Sequence, residues 1–146
     1  MSSFKGSYTY AVDDKGRVSL PSKLRKYVSP EANETFIVTR GFEQCLFVYP
    51  ADEWSKLEQN LRNLSNYDPD HRRFMRAMLE HASECQLDGQ VRISIPQELR
   101  EFANIEGEIR IIGTLDKIGL WNPRIYEEYK RDQTDTYESI AAKVMR

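Results

Sequence analysis

No run of about 18 apolar residues occurs in the 146-residue chain, which excludes a membrane-spanning helix of ordinary length. The opening Met1-Ser2-Ser3-Phe4-Lys5 lacks the apolar core of a signal peptide, so the expectation is a cytoplasmic protein with no membrane partner. Cysteine is scarce. Cys45 and Cys85 are too few for a disulfide scaffold and form no Cys-x-x-Cys pair, so both are expected to be reduced and structural. His81 and Cys85 stand one helical turn apart, but even with Glu84 or His71 no recognisable tetrahedral set emerges, and no metal or other cofactor is expected. No nucleophile lies beside a base in a catalytic motif, which argues against an enzyme and a small-molecule substrate. The chain also lacks the basic excess usual in DNA-binding domains: its formal net charge is -2.

That average hides a segregation. Up to Val28, Lys5, Lys15, Arg17, Lys23, Arg25 and Lys26 face only Asp13 and Asp14. From there to Asp70 the acids Glu31, Glu34, Glu43, Asp52, Glu53, Glu58, Asp68 and Asp70 outnumber Arg40, Lys56 and Arg62. A basic face on an acidic protein is therefore compatible with the composition.

The dominant feature is a repeat. Asp13-Asp14-Lys15-Gly16-Arg17, followed by Val18-Ser19-Leu20-Pro21, returns as Asp88-Gly89-Gln90-Val91-Arg92, followed by Ile93-Ser94-Ile95-Pro96. Each copy has an acid opening a turn, an arginine closing it, a short alternating strand and a proline suited to starting a helix. A shift of 75 aligns Asp13 with Asp88, Arg17 with Arg92, Leu24 with Leu99 and Arg25 with Arg100. Beyond a loop the shift becomes 72 and aligns Ile37 with Ile109, Gly41 with Gly113 and Trp54 with Tyr126. The expected organisation is a first half at 1–67, a connecting helix at 68–80, a second half at 81–130 and a helical tail at 131–146.

Within the first half, Tyr8, Tyr10 and Val12 alternate with small polar residues as in a half-buried strand. Val18-Ser19-Leu20 resumes it as a hairpin-like element, and Pro21 opens a helix expected to reach Val28. Thr35–Thr39 and Cys45–Tyr49 form two further strands, and Pro50-Ala51-Asp52 caps a helix with Trp54, Leu57, Leu61 and Leu64 at helical spacing. Asp68-Pro69 starts another, with Phe74, Met75, Met78 and Leu79 on its apolar side and Arg72, Arg73 and Arg76 on its basic side. Trp54, Tyr126, Met75 and Met78 are expected in the core or an interface. Tyr137, Ile140, Ala141 and Val144 mark an amphipathic tail.

The order Asp-x-Lys-Gly-Arg, alternating strand, proline and helix resembles the swapped-hairpin DNA-binding module of AbrB-like (SpoVT-AbrB-type) transcription factors. Two copies in one chain, with Cys45-Leu46-Phe47-Val48-Tyr49-Pro50 ahead of Trp54 and His81-Ala82-Ser83-Glu84-Cys85-Gln86-Leu87-Asp88 opening the second, resemble the MraZ family of bacterial transcriptional regulators over nearly the whole chain. The resemblance implies an α+β fold, mainly β, in which two AbrB-like halves form one pseudo-dimeric, double-psi-like β-barrel with peripheral helices. It also implies a nucleoid-associated homo-oligomeric ring. Such a ring presents turn arginines to direct repeats in double-stranded DNA and represses the division and cell-wall gene cluster.

Carried over position by position, the motif points to Lys15, Gly16, Arg17 and Arg92 as DNA-binding residues, with Asp13 and Asp88 shaping the turns. A hairpin tip projects its cations beyond the barrel, where arginine grips a guanine edge or phosphate and lysine neutralises phosphate. The second copy departs from the motif, with Gln90 in place of a basic residue and Val91 in place of glycine. Valine disfavours positive φ, so a turn of different shape is expected there, with Gly89 the residue free to adopt it. Arg25 and Arg100 are expected to be solvated helix charges, and the Arg72, Arg73 and Arg76 cluster to face water, acids of a neighbour or a subunit interface. Two other classes stay open: a protein-interaction or assembly module without direct DNA contact, and an enzyme on a related barrel, for which the sequence shows no acid or base pocket.

Overall fold

The computed structural model describes residues 2–145. Eight strands form a six-stranded antiparallel sheet and a two-stranded ribbon. Strand β1 (Phe4–Ala11) shows the expected alternation, with Phe4 buried and Tyr8 and Tyr10 half-buried. It does not fold back on β2 (Arg17–Ser19). Instead β1 pairs along its whole length with β7 (Glu108–Leu115) of the second half, and β2 pairs with β6 (Arg92–Ser94), Val18 opposite Ile93. The hairpin-like element is therefore exchanged between halves. The counterpart exchange sets β5 (Ser83–Gln86) of the second half against β3 (Thr35–Arg40) of the first.

β4 (Leu46–Pro50) joins β3 as the expected hairpin and meets β8 (Ile118–Trp121), completing the order β1-β7-β8-β4-β3-β5. The boundary between β4 and β8 lies where the two halves of this order mirror one another. The chain is an α+β, pseudo-dimeric fold.

β3 and β4 read as continuous apolar runs because both of their faces are covered. Phe36, Val38, Leu46 and Val48 enter the central core with Val18, Leu24, Ile93, Leu99, Ile109 and Leu120. Ile37, Phe47 and Tyr49 point to a second cluster, capped by Trp54 and Leu61 from α2 (Ala51–Arg62) and Met78 from α3 (Pro69–Leu79). Leaving a fully buried side chain such as Phe36 in water instead would cost about 1.5–3 kcal/mol. The core placement of Trp54 and Met78, with Tyr126 and Met75 packed beside them, agrees with their spacing in the sequence.

The helices differ in detail from expectation. α1 is short, Ser22–Arg25, and the amides of Tyr27 and Val28 bond back three residues to Leu24 and Arg25, both at 3.0 Å. Ser29 precedes Pro30 and is extended at ψ 144, which keeps the helix from continuing. Pro50 occupies the cap of α2 without a side-chain bond, so Asp52 lies inside the first turn, where its charge faces the helix's positive end. α3 starts as expected, the Asp68 carboxylate accepting from the Asp70 amide at 2.8 Å. α4 (Gln97–Ala103), α5 (Pro123–Arg131) and α6 (Tyr137–Val144) follow the second-half strands, and α6 leaves Tyr137, Ile140 and Val144 exposed. No helix among the described residues is long and apolar enough to cross a membrane.

Candidate nucleic-acid interface

The first turn is held by one carboxylate. Asp13 Oδ1 accepts from the backbone amides of Lys15 at 3.0 Å and Arg17 at 2.8 Å, and Oδ2 accepts from Arg17 Nε at 2.7 Å. Backbone bonds complete the loop: the Gly16 amide donates to the Asp13 carbonyl at 3.0 Å, and the Asp13 amide to the Arg17 carbonyl at 3.1 Å. The Arg17 amide is the largest cause holding the Asp13 carboxyl below its ordinary range, assisted by the Arg17 guanidinium and Lys15 amide against the opposing effect of burial. Because Asp13 takes the Nε of Arg17, the two Nη groups remain as a fork for an acceptor outside the turn. Lys15 is exposed at the tip.

The second turn repeats this frame bond for bond. Asp88 Oδ1 accepts from the amides of Gln90 at 2.8 Å and Arg92 at 2.9 Å, and Oδ2 from Arg92 Nε at 2.8 Å. Its closing backbone bonds, Val91 to Asp88 and Asp88 to Arg92, measure 3.0 and 3.1 Å. For Asp88 the largest influence is burial, which raises the carboxyl, yet the combined Arg92 and Gln90 amides and Arg92 guanidinium bring it below its ordinary range.

The expected change of shape does not occur. Val91 adopts φ 59 where Gly16 has φ 80, and Gly89 is not among the residues of positive φ. Five hydrogen bonds around the turn, together with the ribbon, over-determine a conformation that a β-branched residue otherwise avoids.

The ribbon brings the two turns together. The Ile95 amide donates to the Gly16 carbonyl at 2.9 Å and the Leu20 amide to the Val91 carbonyl at 3.1 Å, a reciprocal pair about the Val18–Ile93 centre. Asp13 Oδ2 lies 3.8 Å from Arg92 Nη1 as well as contacting Arg17, so one carboxylate neighbours both arginines. Arg17 retains 32% side-chain exposure and Arg92 23%, which leaves the first arginine the more available. Lys15, Arg17, Arg92, Asp13 and Asp88 thus form one connected surface, whereas Gly16, expected among the DNA-binding residues, is buried against Arg100 and the Ile95 carbonyl and shapes the turn instead.

Arg100 departs from the expected solvated charge. It is half-buried, and its Nε donates to the Ile95 carbonyl at 3.0 Å beside Gly16. The sequence signal was its fixed spacing after Arg92, shared by Arg25 after Arg17, but spacing does not say which helix arginine docks. Arg25 is exposed, as expected. Arg73 and Arg76 are exposed on α3, and Arg72 donates to the Asn66 carbonyl at 2.8 Å. His81 faces Glu80 at 3.0 Å and Glu98 at 2.9 Å. Burial pushes the Cys45 thiol up to about 11 and raises Cys85, which disfavours thiolate chemistry at either.

Two family-level matches place this arrangement. The family model described as "MraZ protein, putative antitoxin-like" matches the chain twice, at residues 3–77 and 78–145. The chain belongs to the MraZ family. A "Transcriptional regulator MraZ" of Alkaliphilus oremlandii is 45% identical over 141 residues, covering 97% of this chain and 96% of the relative. Relatives of the same name from Moorella thermoacetica, at 39% identity over 142 residues, and Halothermothrix orenii, at 42% over 139, match over similar shares of their length. MraZ proteins are named as transcriptional regulators, a class distinct from enzymes, and the doubled match corresponds to the two turns.

Proposed function

We propose that the chain is a sequence-specific double-stranded DNA-binding transcriptional repressor of the bacterial division and cell-wall gene cluster, acting from the cytoplasm and nucleoid on direct repeats. Arg17 is the main contact, Lys15 neutralises phosphate beside it, Gly16 permits the turn, and Arg92 contributes from the second turn. Asp13 and Asp88 hold the arginines. The observation carrying this reading is that each aspartate engages its arginine through Nε, so the Nη groups, which can recognise guanine O6 and N7 or a phosphate, are not used by that bond; Arg92 Nη1 also lies 3.8 Å from Asp13 Oδ2, which leaves Arg17 the main contact. The division into halves at 1–67 and 81–130, linked by 68–80 and followed by a tail at 131–146, belongs to the same reading.

One good bidentate base contact provides only about 1–3 kcal/mol of discrimination, so a mildly acidic subunit needs several tips acting together. A homo-oligomeric ring supplies them. Two exposed apolar patches support head-to-tail assembly of this chain with itself: Phe42 and Phe74, with ring centroids 6.1 Å apart, and Tyr137, Ile140 and Val144 along α6. Different patches meeting head to tail make a heterologous interface, the kind that closes into a ring. Light scattering tests this: Ile140→Lys should lower the subunit number, and an unchanged assembly rejects this interface.

The DNA reading is tested by a gel-shift titration against the repeat-containing region upstream of the chain's own gene cluster at two salt concentrations. Affinity should fall steeply with salt and disappear when the repeats are scrambled. Salt-insensitive behaviour with no retained DNA would instead favour an interaction module.

A further inference from the structure

We propose that Arg100 is a positioning residue of the first turn, and that Val91 denies the corresponding place over the second turn to Arg25. The affinity effects inferred here rest on the DNA-binding reading; the side-chain placement does not.

Arg100 belongs to the second half, yet it braces the first half's turn. A Cβ added to Gly16 would lie 2.4 Å from Arg100 Nε, 2.7 Å from its Cζ and 2.7 Å from the Ile95 carbonyl oxygen. The guanidinium therefore lies against the bare glycine backbone while Nε bonds the Ile95 carbonyl at 3.0 Å. The Ile95 amide in turn donates to the Gly16 carbonyl at 2.9 Å. Arg100, Ile95 and Gly16 thus form a continuous clamp from α4 to the peptide immediately before Arg17.

The repeat supplies the matching parts on the other side: Arg25 for Arg100, Leu20 for Ile95 and Val91 for Gly16. The backbone part of the clamp is present, with the Leu20 amide on the Val91 carbonyl at 3.1 Å. The side-chain part is not. Arg25 is exposed and makes no corresponding bond to Leu20 among the described residues, although it borders the same groove as Asp88 and Val91. At φ 59 the Val91 side chain projects from the backbone position that is bare at Gly16, where a guanidinium would have to lie. Glycine at this position therefore does two things: it relieves backbone strain and it opens the seat for the arginine of the opposite half. The first turn has a helix arginine seated against its backbone and the second does not.

The test combines operator titrations with NMR of arginine Nε–H groups in the full-length protein. Arg100→Ala should weaken operator binding about three- to tenfold, the equivalent of one modest hydrogen bond, with an unchanged salt slope. A slope lowered by about one would mean direct phosphate contact and overturn the positioning role. Arg100→Lys keeps the charge but lacks the planar Nε–H, so it should not rescue; full rescue overturns the proposal. Val91→Gly should create one additional protected Nε–H resonance and strengthen binding several-fold, and both gains should vanish in Val91→Gly/Arg25→Ala. The absence of the new resonance in Val91→Gly, or its persistence without Arg25, refutes the Val91 half of the proposal whether or not DNA binds. A wild-type protein that ignores the operator while the resonances behave as stated would reject the DNA reading and leave the clamp standing.

Discussion

The two turns have the same backbone and unequal side chains. Each is closed by an aspartate accepting two amides and an arginine Nε, and each carbonyl at the tip's fourth position accepts an amide across the ribbon. They differ at Asp14 against Gly89, Lys15 against Gln90, Gly16 against Val91, and in whether a helix arginine is seated alongside. The comparison shows that the frame is imposed by the hydrogen-bond network, strongly enough to hold valine at φ 59. A left-handed non-glycine residue typically costs about 1–3 kcal/mol, which the surrounding bonds must offset. Chemistry is then assigned by side chains on a common frame, and the first turn carries more of it.

The largest effect should come from removing both arginines. Arg17→Ala/Arg92→Ala should abolish specific operator retention in a gel shift while leaving the melting temperature within a few degrees, since both side chains are partly exposed. Retained specific binding would remove the turns from the mechanism.

Next is Gly16→Val, which makes the first turn resemble the second. Here the added side chain meets the Ile95 backbone as well as Arg100, so the substitution should cost about 1–3 kcal/mol in denaturant unfolding and weaken DNA binding as well. A neutral outcome would show that the two seats are equivalent after all.

The acid limb of stability gives a smaller signal. Both carboxyls are lowered from an ordinary 3.8, so the stability they contribute is present above that value and is lost as pH falls through the lower folded-state values. Thermal melts from pH 5 downward should therefore show a decline below about pH 4 that is shallower in Asp13→Asn and Asp88→Asn. Identical slopes in wild type and variants would place the acid sensitivity elsewhere.

Smallest of all, Lys15→Ala should weaken operator and scrambled DNA alike and reduce the salt slope by about one. A loss confined to the operator would instead assign Lys15 to base recognition.

Much of this was legible in the sequence because the repeat preserved it. The shift of 75 identified both turns, their aspartates and their arginines, and the apolar runs located β3 and β4. The exchange of β1 and β2 between halves could not come from periodicity, since a strand alternates in the same way whichever strand it pairs with; it entered through the family resemblance. Intrinsic preference misjudged Val91, because the forces that hold it come from Asp88, Arg92 and Leu20 rather than from valine itself. Arg100 was hidden for a related reason: its partner Ile95 lies five residues away in the link between β6 and α4, and its seat at Gly16 lies in the opposite half. The short α1 reflects the extended residue before Pro30, a local signal that the apolar spacing of Leu24, Tyr27 and Val28 outweighed.

The inequality of the turns is tested most directly by titrating one operator, at one salt concentration, with wild type, Arg17→Ala and Arg92→Ala side by side. Arg17→Ala should lose roughly tenfold or more in affinity, and Arg92→Ala clearly less. Equal losses, or a greater loss at Arg92, would contradict the account.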